Sequence, residues 1–194
     1  MNSFISSELD KSLSLFQALK GDIELAETVE AIGAKGADVI RGGGRILFAG
    51  NGGSAADAQH LAAELVGKLV YPRPAMPAIA LTTDTSILTA VGNDFGYEEV
   101  FARQLEALGR EGDMLVAIST SGRSANVVTA IETARRLGIA TVGMTGGSGG
   151  NMAGLVDFCI RIPSDETAKI QEGHITLGHI FCSLIEQQIH PREA

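Results

Sequence analysis

The sequence predicts an α/β fold: a doubly wound, five-stranded parallel sheet flanked by helices and preceded by two N-terminal helices. Three observations lead there. From residue 44 onward, short apolar runs alternate with longer helical segments. Those runs are continuously apolar, the pattern of strands buried on both faces of a sheet. Ahead of them, about forty residues carry apolar side chains at helical spacing with no strand signal.

Taken in order, Phe4, Ile5, Leu9, Leu13, Phe16 and Leu19 recur at helical spacing until Gly21-Asp22 interrupts them. A second helix is expected from about Ile23 to Ile40, stopped by "RGGGR". "RILFAG" (45–50) reads as the first strand and "SAADAQHLAAELVGKLV" (54–70) as the helix after it. "PAIALTT" (77–83) is a second strand, followed by helical segments at 84–92 and 97–109. "DMLVAIST" (113–120) and "SANVVTAIETARRLG" (124–138) form the next strand–helix pair. "IATVGMTG" (139–146) and "DFCIRIP" (157–163) are the last two strands, followed by a helix from about Asp165 to Gln188. No linker or low-complexity segment divides the sequence. One domain is therefore expected over 1–194, with a helical segment (1–43) leading into an α/β core (44–194). In such folds ligands bind at the carboxyl ends of the strands, which aligns residues 51–54, Asp84, 119–124 and 145–147 along one edge.

The net charge of −8 lacks the basic excess of a nucleic-acid surface, so no nucleic-acid partner is expected. A small phosphorylated ligand stays open to an acidic chain, because helix N-termini and hydroxyls hold phosphate without lysine. No apolar run approaches the roughly 20 residues that span a bilayer. "MNSFISSELDKSLSLF" is interrupted by Glu8, Asp10 and Lys11, unlike a signal peptide. No membrane partner and a cytoplasmic location are the expectation. Cys159 and Cys182 lie in apolar stretches and read as two buried thiols rather than a disulfide.

Gly50, Gly52 and Ala55 match the dinucleotide fingerprint G-x-G-x-x-G/A between a strand and a helix. That fingerprint also needs an acidic residue about 20 positions on. Residues 68–76 ("KLVYPRPAM") hold none, and Asp84 comes 34 residues after Gly50. The glycines by themselves make a tight strand–helix turn. They leave Asn51 and Ser54 as unexplained polar groups at a helix start, although Ser54 alone suits a helix cap. "STSGRS" (119–124) is a second such turn. Ser119, Thr120, Ser121 and Ser124 place four hydroxyls within six residues, and Gly122 allows close backbone approach. A cap needs one hydroxyl. The surplus, with unpaired amides at a positive helix end, points to phosphate.

His60 and Glu64 stand four residues apart on one helix face. Alone they read as a surface pair worth a few tenths of a kcal/mol. The last helix changes that balance, because Gln171, His174 and His179 lie among its apolar residues. Histidine and glutamate are common zinc ligands, and three protein ligands with one open position make a catalytic site. Gln171 and His179 are eight residues apart, roughly 12 Å along a helix and rotated by roughly 80°. One ion reaches both only from between them, with long side chains leaning inward; otherwise different chains contribute. His174 and His190 read as structural or solvated, with His190 at a frayed chain end.

Four segments together resemble the sugar isomerase (SIS) domain family and, within it, the phosphoheptose isomerases: "GNGGSAADAQHLAAEL", "GNDFGYEEVFARQL", "STSGRSANV" and "KIQEGHITLGHIFCSLIE". The resemblance covers nearly the whole chain, including the two leading helices. It implies an SIS-type fold, a homotetramer with active sites between subunits, and one zinc per subunit. The implied reaction converts sedoheptulose 7-phosphate to D-glycero-D-manno-heptose 7-phosphate, the first step toward the heptose of bacterial lipopolysaccharide and some capsules. Matched position by position, the resemblance assigns His60, Glu64, Gln171 and His179 to the metal. Glu64 and His179 match the catalytic pair, as base and acid/base. Asn51, Gly52, Gly53, Glu64, Asn93, Asp94, Ser119, Thr120, Ser121, Ser124 and Gln171 match substrate-binding positions. Other SIS proteins are non-catalytic: a tetramer that binds the replication initiator, and sensors of sugar phosphates. The initiator-binding kind lacks the helix glutamate, so Glu64 favours the enzyme.

Overall fold

The structure, a computed structural model, describes residues 3–192; the outermost positions of the expected domain (1, 2, 193 and 194) lie outside the described residues. Helices α1 (Ser3–Gly21) and α2 (Ile23–Arg41) come first, as the helical spacing predicts. Five strands follow: β1 (Ile46–Gly50), β2 (Ala78–Ala80), β3 (Met114–Ile118), β4 (Ala140–Gly146) and β5 (Phe158–Ile162). They form one sheet in the order β2-β1-β3-β4-β5, with every pair parallel. Between them run α3 (Gly53–Val66), α4 (Thr85–Asp94), α5 (Ala102–Leu108) and α6 (Ala125–Arg136), and α7 (Thr167–Ile189) follows β5.

The continuous apolar character of the strands has the expected cause. In β1, Ile46 and Phe48 face one core layer while Leu47 and Ala49 face the other. The first layer collects α2, α3 and α7, with Phe48 stacked on Phe181 at a centroid distance of 6.3 Å. The second collects α5 and α6. Helices α3 and α7 approach closely because residue 178 is glycine; a Cβ there would come within 2.8 Å of the Leu61 side chain. That approach brings the middle of α7 against the middle of α3.

Three elements depart from expectation by more than a residue or two at an end. Helix α3 stops at Val66 rather than 70, where Gly67 leads into an extended, proline-bearing connection. Strand β2 covers only Ala78–Ala80, because it is an edge strand that pairs with β1 alone. The segment 97–109 divides into a 3-10 turn, Tyr97–Glu99, and α5, with Val100 and Phe101 buried between them.

Strand order reverses between β1 and β3, from which α3 and α6 depart to opposite faces of the sheet. Doubly wound folds bind ligands in the crevice at that reversal, outside the strand carboxyl ends. Residues 51–53 and 119–124 occupy it.

Candidate active site

The chain leaves β3 at Ile118 and turns through Ser119–Ser124 into α6. Ser119 is buried, and its Oγ lies 2.9 Å from Ser124 Oγ and 3.4 Å from Ser121 Oγ. Ser121 Oγ accepts from the Arg123 amide at 3.2 Å. Ser124 is the N-cap residue of α6 yet makes no side-chain cap bond. The Val127 amide donates to the Ser124 carbonyl at 3.0 Å, and the Ala125 and Asn126 amides ahead of it are left for another acceptor. Thr120 is held through its backbone, its carbonyl accepting from the Gly146 amide at 3.0 Å.

The turn after β1 is built in the same way. Gly52, with φ of +55°, is the N-cap residue of α3, and no side chain caps that helix either. This corrects the expectation for Ser54, which sits inside the first turn and is only 4% exposed. A left-handed φ at Gly52, invisible in a residue pattern, sets the helix cap two positions earlier. Asn51 forms a reciprocal amide pair with Asn126 of α6. Asn51 Nδ2 donates to Asn126 Oδ1 at 2.9 Å, and Asn126 Nδ2 donates back to Asn51 Oδ1 at 2.8 Å. Tyr97 Oη also donates to Asn51 Oδ1, at 3.3 Å. A Cβ at Gly53 would collide with the Gln171 amide, so Gln171 lies over the start of α3.

Two turns into α3, His60 Nε2 is 3.2 Å from Glu64 Oε1 and 2.8 Å from His179 Nε2 on α7. The three ligand atoms all lie within 4.8 Å of one another. At 2.8 Å the two ring nitrogens are within hydrogen-bonding distance of each other. Zinc fits this donor set: two imidazoles and a carboxylate are common ligands, and bonds of about 2.0–2.2 Å set tetrahedral donors about 3.3 Å apart. Asp57 stands one turn before His60 on the same face of α3. Its Oδ2 is buried without a hydrogen-bond partner among the described residues. Burial pushes the Asp57 carboxyl above its ordinary pKa, against the pull of His60 and His179.

The expected residues thus fall into three groups. Asn51, Gly52, Gly53 and Gln171 gather at the start of α3; Ser119, Thr120, Ser121 and Ser124 gather at the start of α6; His60, Glu64 and His179 form the triangle. One chain supplies all three corners of that triangle, while Gln171 points to the other end of the crevice wall. Asn93 and Asp94 stand apart at the exposed end of α4, hydrogen-bonded to each other at 2.7 Å. Asp84 is the N-cap of α4, its Oδ1 accepting from the Ile87 amide at 2.9 Å. His174 is structural: it is 1% exposed, with Nε2 3.2 Å from the Thr145 carbonyl, and burial lowers its pKa to about 4. His190 is not frayed, since its carbonyl accepts from Tyr71 Oη at 2.6 Å. Cys182 is buried, but Cys159 at the edge strand is only half-buried, and both are free. Among the described residues no helix is long and apolar enough to cross a membrane.

An SIS domain is matched over residues 12–146. The phosphoheptose isomerase of Aneurinibacillus thermoaerophilus is 52% identical over 189 residues, 97% of this chain and 96% of that protein. The solved phosphoheptose isomerase of Francisella tularensis superposes with a TM-score of 0.91 at 37% identity, covering 96% of this chain and 100% of that one. The chain belongs to the phosphoheptose isomerase family of SIS-domain proteins. A solved phosphoheptose isomerase from Neisseria gonorrhoeae superposes with a TM-score of 0.86 at 43% identity, over 94% of this chain and 97% of that one. Membership in the phosphoheptose isomerases makes the chain an aldose–ketose isomerase. The geometry brings in side chains beyond those expected. Asn126 could have been picked out as a polar residue on the buried face of α6, and Asp57 by its helical spacing to His60. Tyr97 gives no local signal, because its contact with Asn51 spans 46 residues.

Proposed function

We propose that this chain interconverts sedoheptulose 7-phosphate and D-glycero-D-manno-heptose 7-phosphate with one zinc per subunit. His60, Glu64 and His179 would hold the ion, with Gln171 brought in from a neighbouring subunit as a fourth ligand. The observation that carries the reading is the His60–Glu64–His179 triangle, built by α3 and α7 beside two uncapped helix starts. Aldose–ketose isomerisation moves one proton between neighbouring carbons and another between their oxygens. The Glu64 carboxylate takes the proton from C1 of the ketose and returns it to C2. The His179 imidazole carries the proton from O1 to O2. Ser119, Thr120, Ser121 and Ser124, with the first amides of α6, hold the phosphate. Asn51, Gly52, Gly53, Asn93 and Asp94 meet the sugar. Zinc, when bound, supplies a Lewis acid that polarises the carbonyl.

The working assembly is a homotetramer in the cytoplasm, its product serving lipopolysaccharide or capsule heptose. Support for assembly comes from α1, where Leu9, Leu13 and Phe16 are exposed on a helix that buries only Leu15. The test is conversion of sedoheptulose 7-phosphate by the purified protein before chelation, after it, and after zinc is restored. Aldose product should form, fall by two orders of magnitude or more on chelation, and return with zinc. Full turnover by metal-free protein would remove the zinc, and no conversion by zinc-loaded protein would remove the substrate.

A further inference from the structure

Beyond the triangle lies a buried ion pair that the proposed chemistry does not use. Arg73 sits on the connection between α3 and β2, and Glu186 sits two turns beyond His179 on α7. Their side chains are 2% and 0% exposed, with Nε 3.0 Å from Oε1. The rest of the guanidinium grips the end of α3. Nη2 donates to the Glu64 carbonyl at 2.8 Å, and Nη1 donates to the Leu65 carbonyl at 2.7 Å. Nη1 also reaches the Gly67 and Pro74 carbonyls at 3.1 and 3.0 Å. Glu186 in turn accepts from the Leu69 and Val70 amides at 3.1 and 3.0 Å. The last carbonyls of a helix lack partners and carry its negative end, so a cation there is well placed.

Stability alone accounts poorly for such a pair, because apolar residues of similar volume often match or exceed it. Fixed geometry is what it supplies. One end of the clamp is a residue of α7, and the other is the backbone carbonyl of Glu64. The spacing of those two helices is also the spacing of His60 from His179. We propose that Arg73 and Glu186 are positioning residues that set the separation of α3 and α7 and thereby preform the His60–Glu64–His179 triangle. The inference rests on the reading of that triangle as a metal site. Lysine cannot replace Arg73 here, because a single ammonium lacks the planar fork that serves Glu186 and the Glu64 carbonyl together.

The test uses Arg73→Lys and Glu186→Gln in the full chain, with Leu105→Ala as a control for lost stability. Leu105 is buried in the core layer on the opposite face of the sheet. Zinc affinity is measured by chelator competition at a temperature where circular dichroism shows each protein folded. Crystal structures of the metal-free proteins give the His60–His179 separation. Both clamp variants should bind zinc at least tenfold more weakly, with the two imidazoles moved apart, while Leu105→Ala binds zinc as the parent does. If Arg73→Lys does not fold, Glu186→Gln decides. Parental zinc affinity and an unchanged separation in Glu186→Gln would overturn the proposal. If zinc binding is indifferent to His60→Ala, the metal reading fails instead, and the crystallographic separation still judges the clamp.

Discussion

Helices α2 and α4 begin on Asp22 and Asp84, whose carboxylates accept from the Leu25 and Ile87 amides at 2.9 Å, whereas α3 and α6 begin on Gly52 and Ser124 with no side-chain cap. A side-chain cap typically contributes about 1 kcal/mol, so each omission is a cost. The omissions at α3 and α6 fall where the strand order reverses, at the carboxyl ends of β1 and β3. The far end of α3 is the opposite case, with the Arg73 guanidinium on its last carbonyls. Open starts also occur at α5 and α7, but those of α3 and α6 alone among these four stand at the crevice, where a phosphorylated ligand would supply the missing acceptor.

The contrast leads to four measurements. The largest effect is expected on the face of α3 between its open start and its clamped end. Glu64→Gln should lower kcat by about 10²–10⁴-fold while calorimetry still detects sugar-phosphate binding. Near-normal turnover would remove Glu64 as the base.

Next comes His174, buried beneath the open end of β4. The unfolded chain takes up a proton as pH falls through about 6.5, whereas the folded chain resists until about 4. Stability should therefore be intact above pH 6.5 and decline toward pH 4, by roughly 3 kcal/mol in all. Urea unfolding across that range checks it, and His174→Gln should flatten the decline; an unaltered slope would assign the loss to other groups.

Ser124→Ala removes a hydroxyl that does not cap its helix. Loss of a hydrogen bond to a charged group, about 1.5–3 kcal/mol, should raise KM by at least about tenfold with little change in melting temperature. The smallest effect belongs to the true cap. Asp22→Ala should lower the unfolding free energy by about 1 kcal/mol and leave kcat and KM unchanged. Should Ser124→Ala cost stability and Asp22→Ala cost affinity, the distinction between open and closed helix starts would be erased.

Much of this was legible in the residues. Strand–helix alternation and continuous apolar strands predict a parallel sheet covered on both sides, and the sheet has that form. The spacing of His60 and Glu64 places them on one face because 3.6 residues make a turn, whatever lies nearby. The surplus of hydroxyls in 119–124 likewise needs no tertiary information. Roles for Asn93, Asp94 and Gln171 come from family resemblance alone; the Asn93 and Asp94 side chains are hydrogen-bonded to each other.

What local pattern could not supply is the company these residues keep. That Gly52 rather than Ser54 starts α3 depends on a backbone angle, not a residue type. His179 joins His60 across 119 residues, Asn126 joins Asn51 across 75, and Glu186 joins Arg73 across 113. Helical and strand periods are set by the backbone of each segment, so a sequence reveals which side chains share a face. Which faces meet depends on the packing of whole layers, on a glycine at 178 thin enough to let two helices touch, and on buried polar groups finding partners far along the chain.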